Sequence, residues 1–156
     1  LEEKKATAIG LFNYAHSYAQ SAVTLQDNQT DATHWNAPIH FLYFHAIELY
    51  LKSYLVAHGA DLEVLRKKFG HKVCCLSNEA QALGLEFDDQ ARSVLRLMFD
   101  TDNVITSRYL RIGIHTRLPF TAHFDTCDGL HEQIMPKVYE GVPSGRRPIL
   151  RDTKET

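Results

Sequence analysis

Residues 39–58 read IHFLYFHAIELYLKSYLVAH, and how this run is folded decides the architecture of the chain. Asn36 is placed to cap a helix here, Pro38 falls in its first turn, and Gly59 supplies a left-handed stop. Between those marks the run is apolar almost all round. A helix with no polar face must be surrounded by others, so this one is expected at the centre of a helical bundle. One narrow stripe breaks the apolar surface: His45, Glu48 and Lys52 stand three and four residues apart and share a face. Lys and Glu are rarely buried without a partner, so the stripe either lines a ligand pocket or is a hydrogen-bonded structural seam.

Working outward from this helix, the same periodicity recurs. Leu11, Tyr14, Tyr18, Ala22 and Leu25 follow three- and four-residue spacing, which predicts a helix from about Glu3 to Leu25. Two short helices follow the central one: DLEVLRKKF, closed by Gly70, and HKVCCLSNEAQAL, closed by Gly84. Asp88 caps DQARSVLRLMF, with Ala91, Val94, Leu95 and Met98 on its apolar face. Residues 104–118 have no clean period. A last helix begins near Thr121, with Phe124, Cys127, Leu130, Ile134 and Val138 inward and Pro136 expected to kink or end it. No alternating run is long enough for a sheet. The expected fold is all-α, a compact up-and-down bundle of about five to six helices. Residues 1–141 form its single domain, and 142–156 are a basic tail whose Pro, Gly and Arg content is that of a disordered segment. If ordered, it would need something to hold it, such as a second subunit.

Length and composition narrow the function classes. A chain of 156 residues with 44% apolar and 23% charged residues can bury a core without metal or disulfide staples. No stretch approaches the roughly 18 uninterrupted apolar residues of a membrane span. The opening LEEKKATAIG lacks the apolar core of an export signal. Cys74, Cys75 and Cys127 are odd in number and two are adjacent, against a disulfide framework. Cytoplasmic residence is the expectation. A net charge of −2 argues against coating duplex DNA but leaves room for a local basic site. Arg108, Arg111 and Arg117 form one cluster, and Arg146, Arg147 and Arg151 another.

The run from HAIELYLKSYLVAHG through FGHKVCCLSNEAQALGL to SRYLRIG resembles the HEPN superfamily, the higher eukaryote and prokaryote nucleotide-binding domain. Ala46, Glu48, Lys52 and Gly59 match its Ala-x-Glu-x-x-x-Lys helix. Gly70 and His71 match the Gly-His pair that opens its next short helix, and Arg108 and Tyr109 its Arg-Tyr pair. The resemblance spans about residues 37 to 117. It implies a helical bundle that often dimerises through its long helices, with no cofactor. In the Arg-Tyr branch it implies a module that binds nucleotide or RNA phosphate, often as accessory to a nucleotidyltransferase-type partner. Another branch consists of metal-independent endoribonucleases, marked by an arginine followed a few residues later by a histidine. Arg108 and His115, with six residues between them, meet that pattern.

The chemistry suits the residue types. Cleaving RNA without metal needs a proton donor or acceptor near neutrality and a cation for the charge on the phosphorane. Histidine titrates in that range, and arginine offers a fixed fork of donors to phosphate oxygens. Seven residues along a helix return to nearly the same face roughly 10 Å further on, so Arg108 and His115 could straddle a phosphodiester. Glu48, or a second copy of the pair across a dimer, would orient the histidine. The candidate residues are therefore Arg108 and His115 for catalysis, and His45, Glu48, Lys52, Tyr109 and Arg111 for ligand binding. A third reading takes the chain as an interaction module whose arginines pair with carboxylates.

Other sites are weaker. His71, Cys74 and Cys75 lie close, and His123, Cys127 and His131 repeat at four-residue spacing. Residues eight apart on one helix are about 12 Å apart and cannot share an ion, so no zinc site is expected. Trp35, Tyr43 and Phe44 could stack bases, but aromatic residues on a central helix are usually core.

Overall fold

The computed structural model describes residues 6–102, 118–143 and 145–152. The described residues form six helices and no strand: α1 (Ala8–Asp27), α2 (Ala37–Ala57), α3 (Leu62–Phe69), α4 (Val73–Ala82), α5 (Asp89–Asp102) and α6 (Phe120–Val138). The all-α bundle expected from periodicity is the fold observed. α2 packs on α1, α3, α4 and α6, the central position that its apolar circumference requires. Tyr43, Ile47, Tyr50 and Leu51 of α2 meet Phe12 of α1, Leu76 of α4, and Leu130 and Ile134 of α6 in one fully buried core. Phe12 sets its ring edge-on against Tyr50, centroids 5.4 Å apart, and against Tyr139 at 6.0 Å.

Local chemistry ends most helices where the sequence places the signals. Thr7 caps α1, its Oγ1 accepting from Gly10 N at 3.0 Å. Asp88 Oδ1 accepts from Ala91 N at 2.7 Å at the start of α5. After α2, Gly59 takes φ +95°, which lets Ala60 N reach back to Leu55 O while Gly59 N bonds Val56 O. This pair of bonds is the Schellman closure, and a side chain at that φ would be strained.

Three local expectations fail. α1 begins at Ala8 rather than near Glu3, because Thr7 takes extended backbone angles and its side chain caps the first turn. Asn36 has helical backbone angles and its side chain makes no capping bond; α2 starts on Ala37, followed by Pro38, which needs no amide partner in the first turn. Pro136 does not stop α6, which continues to Val138. It lies so near the end that its missing N–H costs one terminal bond and leaves the rest of the ladder intact.

The basic tail is held by its own chain. His16 Nε2 of α1 donates to Ile149 O at 2.9 Å, and His131 Nε2 of α6 donates to Pro148 O at 3.0 Å. Gln20 closes both sides of Arg151, donating from Nε2 to its carbonyl and accepting its amide at Oε1, each at 3.1 Å. Leu150 enters the core, 8% exposed. Composition alone reads this segment as disordered, but its carbonyls find donors on α1 and α6 that only the folded bundle brings together.

Candidate functional site

α2 carries the polar stripe into the core. Glu48 and Lys52 are 7% and 5% exposed, and Lys52 Nζ donates to Glu48 Oε1 at 2.7 Å. The same oxygen accepts from His71 Nδ1, also at 2.7 Å. The link between α3 and α4 delivers that histidine. Gly70 closes α3 at φ +57°, a conformation that favours glycine, and the next residue turns its ring onto α2. A carboxylate can only accept, so the proton on this face of the imidazole sits on Nδ1. The outer part of the His71 side chain is exposed, leaving Nε2 as the nitrogen turned away from the bond. A buried carboxylate that fixes the tautomer and orientation of a solvent-facing imidazole is the arrangement used to aim a histidine at a reacting or binding group.

His45 lies one turn earlier on α2, half-buried. Tyr18 meets it edge-on at 4.5 Å, and Phe41 stacks on it at 5.9 Å with 9° between the planes. Burial holds its imidazole below the usual histidine range; Glu48 opposes that shift, while Lys52 and His71 add to it. The stripe named from sequence is thus one electrostatic unit. Glu48 and Lys52 are joined directly, and His45 stands beside them. His71 is the residue of this group that the sequence analysis did not place among the ligand-binding candidates. No spacing rule links it to Glu48, 23 residues earlier. The Gly-His step of the HEPN-like pattern was the one sequence signal that could have found it. Arg108, Tyr109, Arg111 and His115 lie outside the described residues.

The remaining histidines of the core serve other partners. His40 Nδ1 and His123 Nε2 stand 3.2 Å apart, one donating to the other. His123 Nδ1 is buried with no hydrogen-bond partner among the described residues. Burial lowers the pKa of His40 to about 4; burial and then the neighbouring His40 lower that of His123 to about 3. Both rings are therefore neutral at pH 7. His131 Nδ1 accepts from the Tyr50 hydroxyl at 2.9 Å while its Nε2 holds Pro148. Cys127 is fully buried, and burial raises its thiol pKa.

The three residues at four-residue spacing on α6 are thus committed to separate neighbours. Among the described residues no three His, Cys, Asp or Glu side chains are grouped to hold a metal. Elemental analysis of the purified protein is expected to find well under one zinc per chain, and one equivalent would make the histidines or cysteines a functional centre.

The aromatic candidates divide. Tyr43 is buried and donates its hydroxyl to Gln26 Oε1 at 2.9 Å; Phe44 packs edge-on against His123. Trp35 stays partly exposed beside Phe120. Among the described residues no helix is long and apolar enough to cross a membrane. Compared with models of known families, with curated proteins and with solved structures, the chain matches none.

Proposed function

We propose that this chain is a HEPN-like module that binds the phosphate of a nucleotide or of RNA. The observation that carries the reading is the shared carboxylate of Glu48, which ties Lys52 to His71. Two pieces of the HEPN-like pattern, the Glu-x-x-x-Lys helix and the Gly-His step, thereby meet at one atom. A structural ion pair alone has no need of a third, exposed partner. An imidazole anchored at Nδ1 presents Nε2 to solvent, where it can donate to a phosphate oxygen when protonated. In this proposal Arg108 and Arg111 supply the charged fork, and Tyr109 and His45 complete the ligand contacts. The module works as a homodimer, in the cytoplasm, beside a nucleotidyltransferase-type protein.

Binding of ATP and of a labelled short RNA to the Arg108→Ala chain tests this. Affinity is expected to fall by about 1.5–3 kcal/mol, the worth of a charge-assisted hydrogen bond. The loss should shrink as salt screens the interaction. His115→Ala separates binder from ribonuclease. A binder keeps its affinity and has no cleavage to lose, whereas a ribonuclease loses roughly 10²–10⁴-fold in an EDTA-insensitive rate. If Arg108→Ala leaves both ligands bound and instead lowers the melting temperature sharply, the arginine is structural and the interaction-module reading replaces this one.

A further inference from the structure

The link that sets His71 on Glu48 leads directly into a pair of adjacent thiols. Cys74 and Cys75 stand in the first turn of α4, both free and half-buried, with their sulfurs 3.8 Å apart. The third cysteine, Cys127, is fully buried with its sulfur against Tyr43 O, and offers no competing partner. On a helix consecutive side chains point about 100° apart around the axis, so neighbouring positions do not face one another. Here the two side chains nevertheless bring their sulfurs into contact. A disulfide needs Cβ atoms roughly 3.5–4.5 Å apart, closer than consecutive helical positions hold them. Closing the bond must therefore take the peptide between Cys74 and Cys75 out of helical geometry. What lies on either side decides which part yields. Leu76 and Ala80 are fully buried in the core and fix the rest of α4. On the other side Val73 is buried, but His71 and Lys72 are exposed. The first turn is tied to this link through Lys72 O, which accepts from Cys75 N at 3.1 Å and from Leu76 N at 3.2 Å. Lys72 supplies no side-chain cap to replace those bonds.

We propose that Cys74 and Cys75 are a thiol switch on the position of His71. A small disulfide oxidant such as oxidised glutathione closes them into a vicinal disulfide, the first turn of α4 unwinds, and His71 leaves Glu48. One protein thiolate attacks a sulfur of the oxidant, forming a mixed disulfide and releasing one glutathione thiolate. The second thiolate attacks the protein sulfur of that bond, forming the Cys74–Cys75 disulfide and releasing the other glutathione. The protein gives up two protons and two electrons, which the oxidant takes as two thiols. Burial first, and the hydrogen bond with Cys75 second, hold the Cys74 thiol above the ordinary thiol range. That suits Cys74 to the second step, where its target sulfur is already in contact. The switch rests on the phosphate-site reading only for its effect on ligand, because the movement of His71 is a property of the link itself.

The test compares the full chain, reduced, with the same chain after oxidised glutathione. Mass spectrometry is expected to find the treated chain two hydrogens lighter, with the new bond between Cys74 and Cys75 and reversal by dithiothreitol. Nitrogen-edited NMR, at a pH where the imidazoles are neutral, reads His71 directly. The reduced chain should show it protonated at Nδ1, and the oxidised chain should show the tautomer mixture of a free histidine. Circular dichroism should lose only the first turn of α4. Affinity for ATP should fall about ten-fold on oxidation, the loss of one charge-assisted hydrogen bond. Neither Cys74→Ser nor Cys75→Ser can close the ring, and each should keep the reduced His71 signal in the same oxidant. Glutathione left on the chain as a mixed disulfide, a closed disulfide with the His71 signal unchanged, or loss of the whole helical signal overturns the proposal. If oxidation moves His71 as expected while neither form binds ATP, the switch stands and the phosphate reading fails.

Discussion

Replacing Glu48 with alanine is expected to lower the unfolding free energy by about 3–5 kcal/mol, the cost of leaving a buried charge without its partner. Lys52 is 5% exposed, so its ammonium group cannot simply trade the carboxylate for water. The same change frees His71, whose Nδ1 loses its acceptor. The ion pair itself is not a source of net stability, because removing two charges from water costs about what their attraction returns. The double change Glu48→Leu with Lys52→Met should therefore recover most of the loss. Urea unfolding of the three chains checks both statements. A loss under about 1 kcal/mol for Glu48→Ala would mean that water reaches Lys52. The double variant also separates fold from function: it restores the core but not the anchored imidazole, so phosphate binding should stay weak in a stable protein.

Acidification is the second large effect, and it should fall on the His40–His123 pair. Both groups have folded pKa values below the 6.5 of the free imidazole, at about 4 and about 3. A base whose folded pKa is depressed is neutral in the bundle while the unfolded chain takes up protons below 6.5. Stability is then fully present above pH 6.5 and is lost as pH falls from 6.5 towards 4. At about 1.36 kcal/mol per pKa unit, the two sites together contribute a loss on the order of 5 kcal/mol between pH 7.5 and 4.5. Burial is the leading cause at each, and the two rings cannot both charge at 3.2 Å. His131 and His45, also held low chiefly by burial, act in the same direction. Urea unfolding at the two pH values measures the drop. His123→Leu should roughly halve it, and an unchanged drop in that variant would place the acid sensitivity elsewhere.

Helix content, helix order and the central place of α2 could be read from the chain because they rest on local rules. Apolar spacing repeats every three to four residues, and Gly59, Gly70 and Gly84 mark breaks with conformations that other residues resist. Part of the site was legible for the same reason: Glu48 and Lys52 are four apart on one helix and met as that spacing requires.

What the sequence could not determine is which distant group completes each polar contact. Glu48 found His71 across 23 residues, His40 found His123 across 83, and Gln20 found Arg151 across 131. None of these pairs is implied by either residue's neighbours in the chain. The first two form because a polar group shut away from water, Glu48 or His123, must be satisfied by whatever the packed helices place within reach; the exposed Gln20–Arg151 bonds form because folding lays the tail along α1. Tertiary contacts also overrode composition in the tail, where a segment that reads as disordered is fixed by three side chains from α1 and α6 and one buried leucine. Periodicity determined the helices, and the partners of their polar side chains were decided only when those helices came together.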